Sequence, residues 1–202
     1  MVTAAKIEKQ ITNDLAHALD NRGFRIANVH LIERQRTDDV SWQLRCGARK
    51  ERTTSKVLIG LSAGIRFETV EAFLERDFEA RAASLSVPLH FLHPSRAFLE
   101  WDASDPEIVS TLLGEIEKYA LPFWQEYERL DRLLQSLESE NPRDWLSVSR
   151  NDRIALVIGL NEVLGRRAVA IAFADREIET LLNKPPGHRR DFERFRAKLV
   201  GS

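Results

Sequence analysis

Cysteine is nearly absent from this chain. Cys46 is the only one in 202 residues, so no internal disulfide can staple the fold, and secreted chains of this size more often carry cysteines in pairs. A reducing, cytoplasmic setting is therefore expected. Long apolar runs are missing too. The longest stretch without Asp, Glu, Lys or Arg runs from Ala82 to Ser95 and is interrupted by histidine and proline; it falls short of the roughly 20 apolar residues that a membrane-spanning helix needs. At the start, MVTAAKIEKQITNDLAHAL places Lys6, Glu8, Lys9 and Asp14 where a signal peptide would hold its apolar centre. Neither export nor a membrane span is expected. Strings of the forms G-x-x-x-x-G-K-S/T, G-x-G-x-x-G and H-E-x-x-H do not occur, which removes the usual signs of a phosphate cradle, a dinucleotide fold and a zinc protease. No cofactor is expected.

What is present is the mixture of an ordinary globular chain. Hydrophobic residues make up 43% and charged residues 30%, enough to wrap a polar surface around a core without metal or disulfide support. The net charge of −1 hides an asymmetry. Residues 22–66 hold ten Lys or Arg and four Asp or Glu, a local +6 that leaves −7 for the rest. One basic segment sits on an acidic body.

The hydrophobic period changes along the chain in a way that predicts an α+β fold. Ala4, Ile7, Ile11, Leu15 and Ala18 recur at helical spacing, with Gly23 placed as a stop. Three segments of period two come next. The first puts Ala27, Val29 and Leu31 on one face and Asn28, His30, Arg34 and Arg36 on the other, with Ile32 as an exception. The second sets Trp42, Leu44, Cys46 and Ala48 against Gln43, Arg45 and Arg49, and the third alternates Val57, Ile59, Leu61, Ala63, Ile65 and Phe67 with small or polar residues. Joined by polar turns, they predict an antiparallel meander with one buried face, covered by the first helix. A short helix from about Thr69 and a fourth strand within VPLHFLHPSRAFLEW complete a three- to four-stranded module over residues 1–102.

Residues 103–202 read as a helical half packed on it. Ser104 and Glu107 have capping-box spacing, a long apolar stripe runs from Ile108 to Leu137, and Pro122 should kink or split that helix. Residues 151–164 and 166–183 read as a helical hairpin turning at Gly165. A last basic helix comes after Pro185-Pro186-Gly187, its Phe192, Phe195 and Leu199 forming a stripe for docking.

Gly60-Leu61-Ser62-Ala63-Gly64 matches the nucleophile elbow G-x-S-x-G, and Asp102 and His188 succeed it in the chain order of a hydrolase triad. Unbroken alternation from Val57 to Phe67 opposes this, because an elbow is a sharp turn. The strand alternative makes Ser62 part of a shallow face floored by Gly60 and Gly64, open to a bulky neighbour or partner. His90 and His93 are too few to complete a zinc site, and in a strand they would point apart. Cys46, on an apolar face, is expected to be a buried hydrophobe.

The strongest candidate binding feature is the basic sheet face. Alternation predicts that His30, Arg34, Arg45, Arg49 and Arg66 project together, with Ser62 among them, either as a solvated face or as a docking surface for an acidic partner. Nucleic acid is the weaker candidate, because no aromatic residues interleave with the basic ones. The order of a helix ending near Gly23-Phe24, a meander ending in GIRFETVE at 64–71, LHFLHPSRAFLEW at 89–101 and ALPFWQEYERLDRLLQSLE at 120–138 resembles a bacterial family described as a domain of unknown function. The resemblance spans residues 5–140 and carries over no catalytic residue. It implies a non-enzymatic immunity or accessory protein that binds another protein.

Overall fold

The computed structural model describes residues 3–74, 83–95, 99–139, 141, 146, 148–182 and 186–201, with the backbone alone for 186–188. The fold is α+β, with an N-terminal helix, an antiparallel sheet and a helical C-terminal half. Two compact units form, each from two stretches of chain: Met1–Arg66 with Leu85–Glu128, and Phe67–Ser84 with Arg129–Ser202.

In the first unit, α1 (Ala4–Ala18) starts at Thr3, whose hydroxyl accepts from the Lys6 N–H, and the stop at Gly23 adopts a left-handed φ of 81°. The sheet runs β1 (Arg25–Asn28), β2 (Leu31–Gln35), β3 (Val40–Lys50), β4 (Val57–Phe67) and β5 (Leu85–Pro88), with the short β6 (Trp101–Asp102) also paired to β4. Strands β1 and β2, β2 and β3, β4 and β5, and β4 and β6 all pair antiparallel. Trp42, Leu44, Cys46, Ile59, Leu61, Ala63 and Ile65 are buried on one face, as their alternation predicts. Helix α1 lies on that face, where Thr12 meets the Cys46 thiol.

The first predicted strand is in fact two. The Asn28 side chain accepts from the His30 N–H at 3.0 Å and turns the chain at Val29-His30, so β1 and β2 form a hairpin. The turn reverses the facing of the residues beyond it. Ile32 pairs with Leu44 and Arg34 with Trp42, which places Arg34 on the buried face, opposite to the expected one. With β6 added, the sheet has six strands among the described residues.

After β5 come a single turn, α3 (Leu89–Leu92), and the chain's return along the edge of β4. The expected capping box does not form; α4 (Ile108–Glu115) is preceded by a turn in which Asp105 accepts from the Glu107 N–H at 2.9 Å. The regular α-helix is interrupted just before Pro122, which stands in the first turn of α5 (Leu121–Tyr127). A π turn at Ile116–Ala120 precedes α5, the Leu121 N–H bonding to the Ile116 carbonyl. Such a widened turn relieves the clash between the proline ring and the carbonyl four residues back. The chain breaks later, at the extended Arg129.

The second unit holds α2 (Glu68–Leu74), α6 (Leu130–Glu138), α7 (Arg150–Val163), α8 (Arg167–Thr180) and α9 (Pro186–Gly201). Helix α7 is its centre, buried continuously from Arg153 to Asn161. Gly159 allows α2 to approach closely: a Cβ there would stand 3.2 Å from Val70. Gly165, at φ 72°, turns the α7–α8 hairpin. Arg153 Nε donates to the Leu137 carbonyl at 2.6 Å, and Lys198 Nζ donates to the Phe73 carbonyl at 2.9 Å. Both cations thus meet helix C-terminal ends. Phe192, Phe195 and Leu199 are buried, so the apolar stripe of α9 docks within this unit. Among the described residues no helix is long and apolar enough to cross a membrane.

Candidate functional site

Strands β3 and β4 build a hollow that residues of both parities line and that Glu8 of α1 borders. Arg45, Gly47 and Arg49 on β3, and Gly60 and Ser62 on β4, alternate with the buried residues of the core face. Gly47 and Gly60 place no side chain on this surface, and a Cβ at either would meet nothing within 4 Å. The hollow is a cavity of about 550 Å³, well within the range of small-molecule sites. Its walls are Pro88 and His90 at the end of β5 and beyond it, Leu99 and Glu100 before β6, and Glu8 and His30 near the point where β2 begins.

Most of its charge is already neutralised. Arg49 Nε donates to Glu100 Oε1 at 2.7 Å and its Nη2 to Oε2, a fork-to-fork pair that holds the guanidinium proton more tightly than usual. Glu8 faces His30 Nδ1 with one oxygen and accepts from the Ala48 N–H with the other, at 3.3 Å. Arg45 and Ser62 differ: neither side chain has a hydrogen-bond or ion-pair partner among the described residues. Cys46 also borders the cavity, but burial pushes its thiol up to about 11, so it is a poor nucleophile near neutral pH.

Of the predicted face, His30, Arg45, Arg49 and Ser62 do come together around this cavity. Arg34 does not, because of the parity shift at the β1–β2 turn, and Arg66 lies further along β4, outside the lining. Sequence reasoning missed Glu8, Pro88, His90, Leu99 and Glu100. The pairing of Ser62 with Pro88 and the reach of Glu8 from α1 are long-range features with no local signal.

Ser62 does not stand on an elbow. Strand β4 continues through Ser62 without a turn. The Asp102 carboxylate accepts from Lys56 Nζ at 2.7 Å and from the Ser104 hydroxyl and N–H at 2.7 and 3.0 Å. The lysine bond foremost, then the serine contacts, hold its pKa down to about 2. The His188 side chain lies outside the described residues. His93 Nδ1 bonds the Ser95 hydroxyl at 2.7 Å and its ring packs on Tyr119, while His90 packs on Phe91. Among the described residues no group of three His, Cys, Asp or Glu is placed to hold a metal ion.

No family model, curated protein or solved structure matches the chain. Functional assignment therefore rests on the chemistry of the cavity: one unpaired guanidinium, one free hydroxyl, and apolar surface from Leu61, Pro88 and Leu99.

Proposed function

We propose that this chain is a non-enzymatic binding protein that holds a small, largely apolar molecule carrying one anionic group. The observation behind this is Arg45, an unpaired cation at a glycine-floored cavity whose other arginine is already matched by a carboxylate. An anion on the ligand would pair with Arg45, the Ser62 hydroxyl would orient it, and the apolar body would lie over Gly47 and Gly60. Recognition of this kind needs no bond making.

Anilinonaphthalenesulfonate, an aromatic sulfonate whose fluorescence rises in apolar sites, is a suitable first probe. Saturable binding to the native protein is expected, at least tenfold weaker in Arg45→Gln. Equal binding by Arg45→Gln, with both proteins fully folded by circular dichroism, would reject the assignment.

A second function is favoured by a different observation. Ile26 and Val29 are half exposed on β1 and its turn, next to His30, and apolar groups on an edge hairpin suit a protein partner. An acidic partner of an immunity or accessory type in the cytoplasm would dock there. It would be lost from a pull-down with Ile26→Lys, whereas loss with Arg45→Gln alone would point back to the cavity.

A further inference from the structure

A second cavity, of about 320 Å³, has a lining of its own. Three arginines reach it: Arg22 from the turn after α1, and Arg34 and Arg36 from β2 and its end. Phe24, Trp42 and Trp124 form its aromatic side, and Leu19, Ile116 and Leu121 its aliphatic side. Trp124 stacks on Trp42 with centroids 5.5 Å apart and donates from Nε1 to the Gly64 carbonyl at 2.9 Å. The walls are therefore fixed, which is what a preorganised site requires.

Two of the arginines have carboxylate partners and one does not. Arg22 pairs with Glu117. Arg36 Nε lies 3.1 Å from Glu128 Oε2, which also accepts from Trp42 Nε1 at 2.9 Å. Arg34 has no hydrogen-bond or ion-pair partner for its side chain among the described residues; its guanidinium lies over the Trp42 ring, 5.1 Å from the centroid. Three guanidinium groups against two carboxylates leave one positive charge in a partly desolvated pocket. Burial first, and then the neighbouring Arg36, pull the Arg34 pKa below its ordinary value against the opposing field of the Glu128 carboxylate, the direction expected where desolvation and like charge outweigh the nearest counter-charge.

We propose that this pocket is a second binding site, for a small carboxylate or phosphate that Arg34 engages through its planar fork, with the ligand's apolar part against Leu19, Ile116 and Leu121. A guanidinium offers paired donors that match either oxyanion. Arg36 and Arg22 add field without being consumed, since each keeps its own carboxylate. The site is separate from the Arg45 cavity: the two share no lining residue.

The test is thermal unfolding of the native protein, Arg34→Gln and Arg45→Gln in a buffer without oxyanions, titrated with benzoate and, in parallel, inorganic phosphate, with chloride matching the ionic strength. Benzoate or phosphate, whichever chemistry the pocket takes, should raise the midpoint of the native protein and of Arg45→Gln in a saturable way. Arg34→Gln should lose at least tenfold in apparent affinity. In the absence of anion its midpoint should equal or exceed that of the native protein, because the substitution removes an uncompensated charge. Response to neither anion in the native protein would overturn the proposal, as would an unchanged response in Arg34→Gln. Should Arg34→Gln fail to fold, quenching or enhancement of tryptophan fluorescence by the same anions in the native protein and in Gln125→Trp decides, Gln125 being a further lining residue of the pocket: occlusion there must abolish the change, and persistence would refute the site. Failure of sulfonate binding at Arg45 would leave these outcomes untouched.

Discussion

The two faces of the β2–β4 region are built from alternate residues of the same strands, yet they differ in nearly every physical respect. The face toward α1 is aromatic and closely packed: Trp42, Trp124 and Phe24 form one cluster, and Glu128 ties Arg36 to the Trp42 indole. The other parity is shallow only at Gly47 and Gly60, which place no side chain in the hollow; further along the strands Glu33, Ser41 and Gln43 are buried, with Glu33 accepting from the other two. Among the described residues each cavity keeps one arginine side chain without a hydrogen-bond or ion-pair partner, Arg34 in the aromatic one and Arg45 in the glycine-floored one. Stability should therefore reside in the aromatic cluster, while the hollow at Gly47 and Gly60 can be altered at little cost to folding.

Trp124→Ala is the strongest way to break that contrast. It removes the stack on Trp42 and the bond to Gly64, and a loss of about 3–5 kcal/mol is expected from large-to-small truncation in a core, measured by urea unfolding. A loss below about 1 kcal/mol would show that this face is not the stabilising one. Glu128→Ala should cost less, about 1–3 kcal/mol, since it leaves the Trp42 N–H and Arg36 without their acceptor.

Acid unfolding sharpens the comparison at the sheet edge. The Asp102 carboxyl is depressed to about 2, whereas an unfolded aspartate titrates at about 3.9. A depressed carboxylate contributes stability that is fully present above the unfolded value and disappears as pH falls through the folded one. Asp102→Asn should flatten the stability profile between about pH 4 and 2, and an unchanged slope would mean that the Lys56 pair contributes nothing. The smallest effect belongs to the rim. Arg49→Gln should leave the urea midpoint close to that of the native protein, because Arg49 is half exposed and ion pairs in water are weak.

Alternation made the core face of β3 and β4 legible from the chain, and with it the glycine floor of the outer face. It failed at β2 for a definite reason. Asn28 turns the chain by its own side-chain bond to His30, and one turn is enough to reverse the parity of every later residue on that strand. Ile32 carried the warning, since its apolar side chain fits the buried face only if Arg34 shares it. The helix caps and the π turn before Pro122 depended on competition among local hydrogen bonds, which spacing alone does not rank. The counter-charges Glu8 and Glu100 reach the cavity from distant segments, so the basic face looked more positive in the sequence than it is in the fold.

Gly60→Val tests the central claim most directly. A Cβ at Gly60 meets open space, and valine suits a strand better than glycine, so the substituted protein should unfold at the native urea midpoint or above it. Its side chain would occupy the floor of the cavity. Retained stability together with loss of anilinonaphthalenesulfonate binding is the predicted result, and undiminished binding by the folded variant would contradict the assignment of this cavity as the binding site.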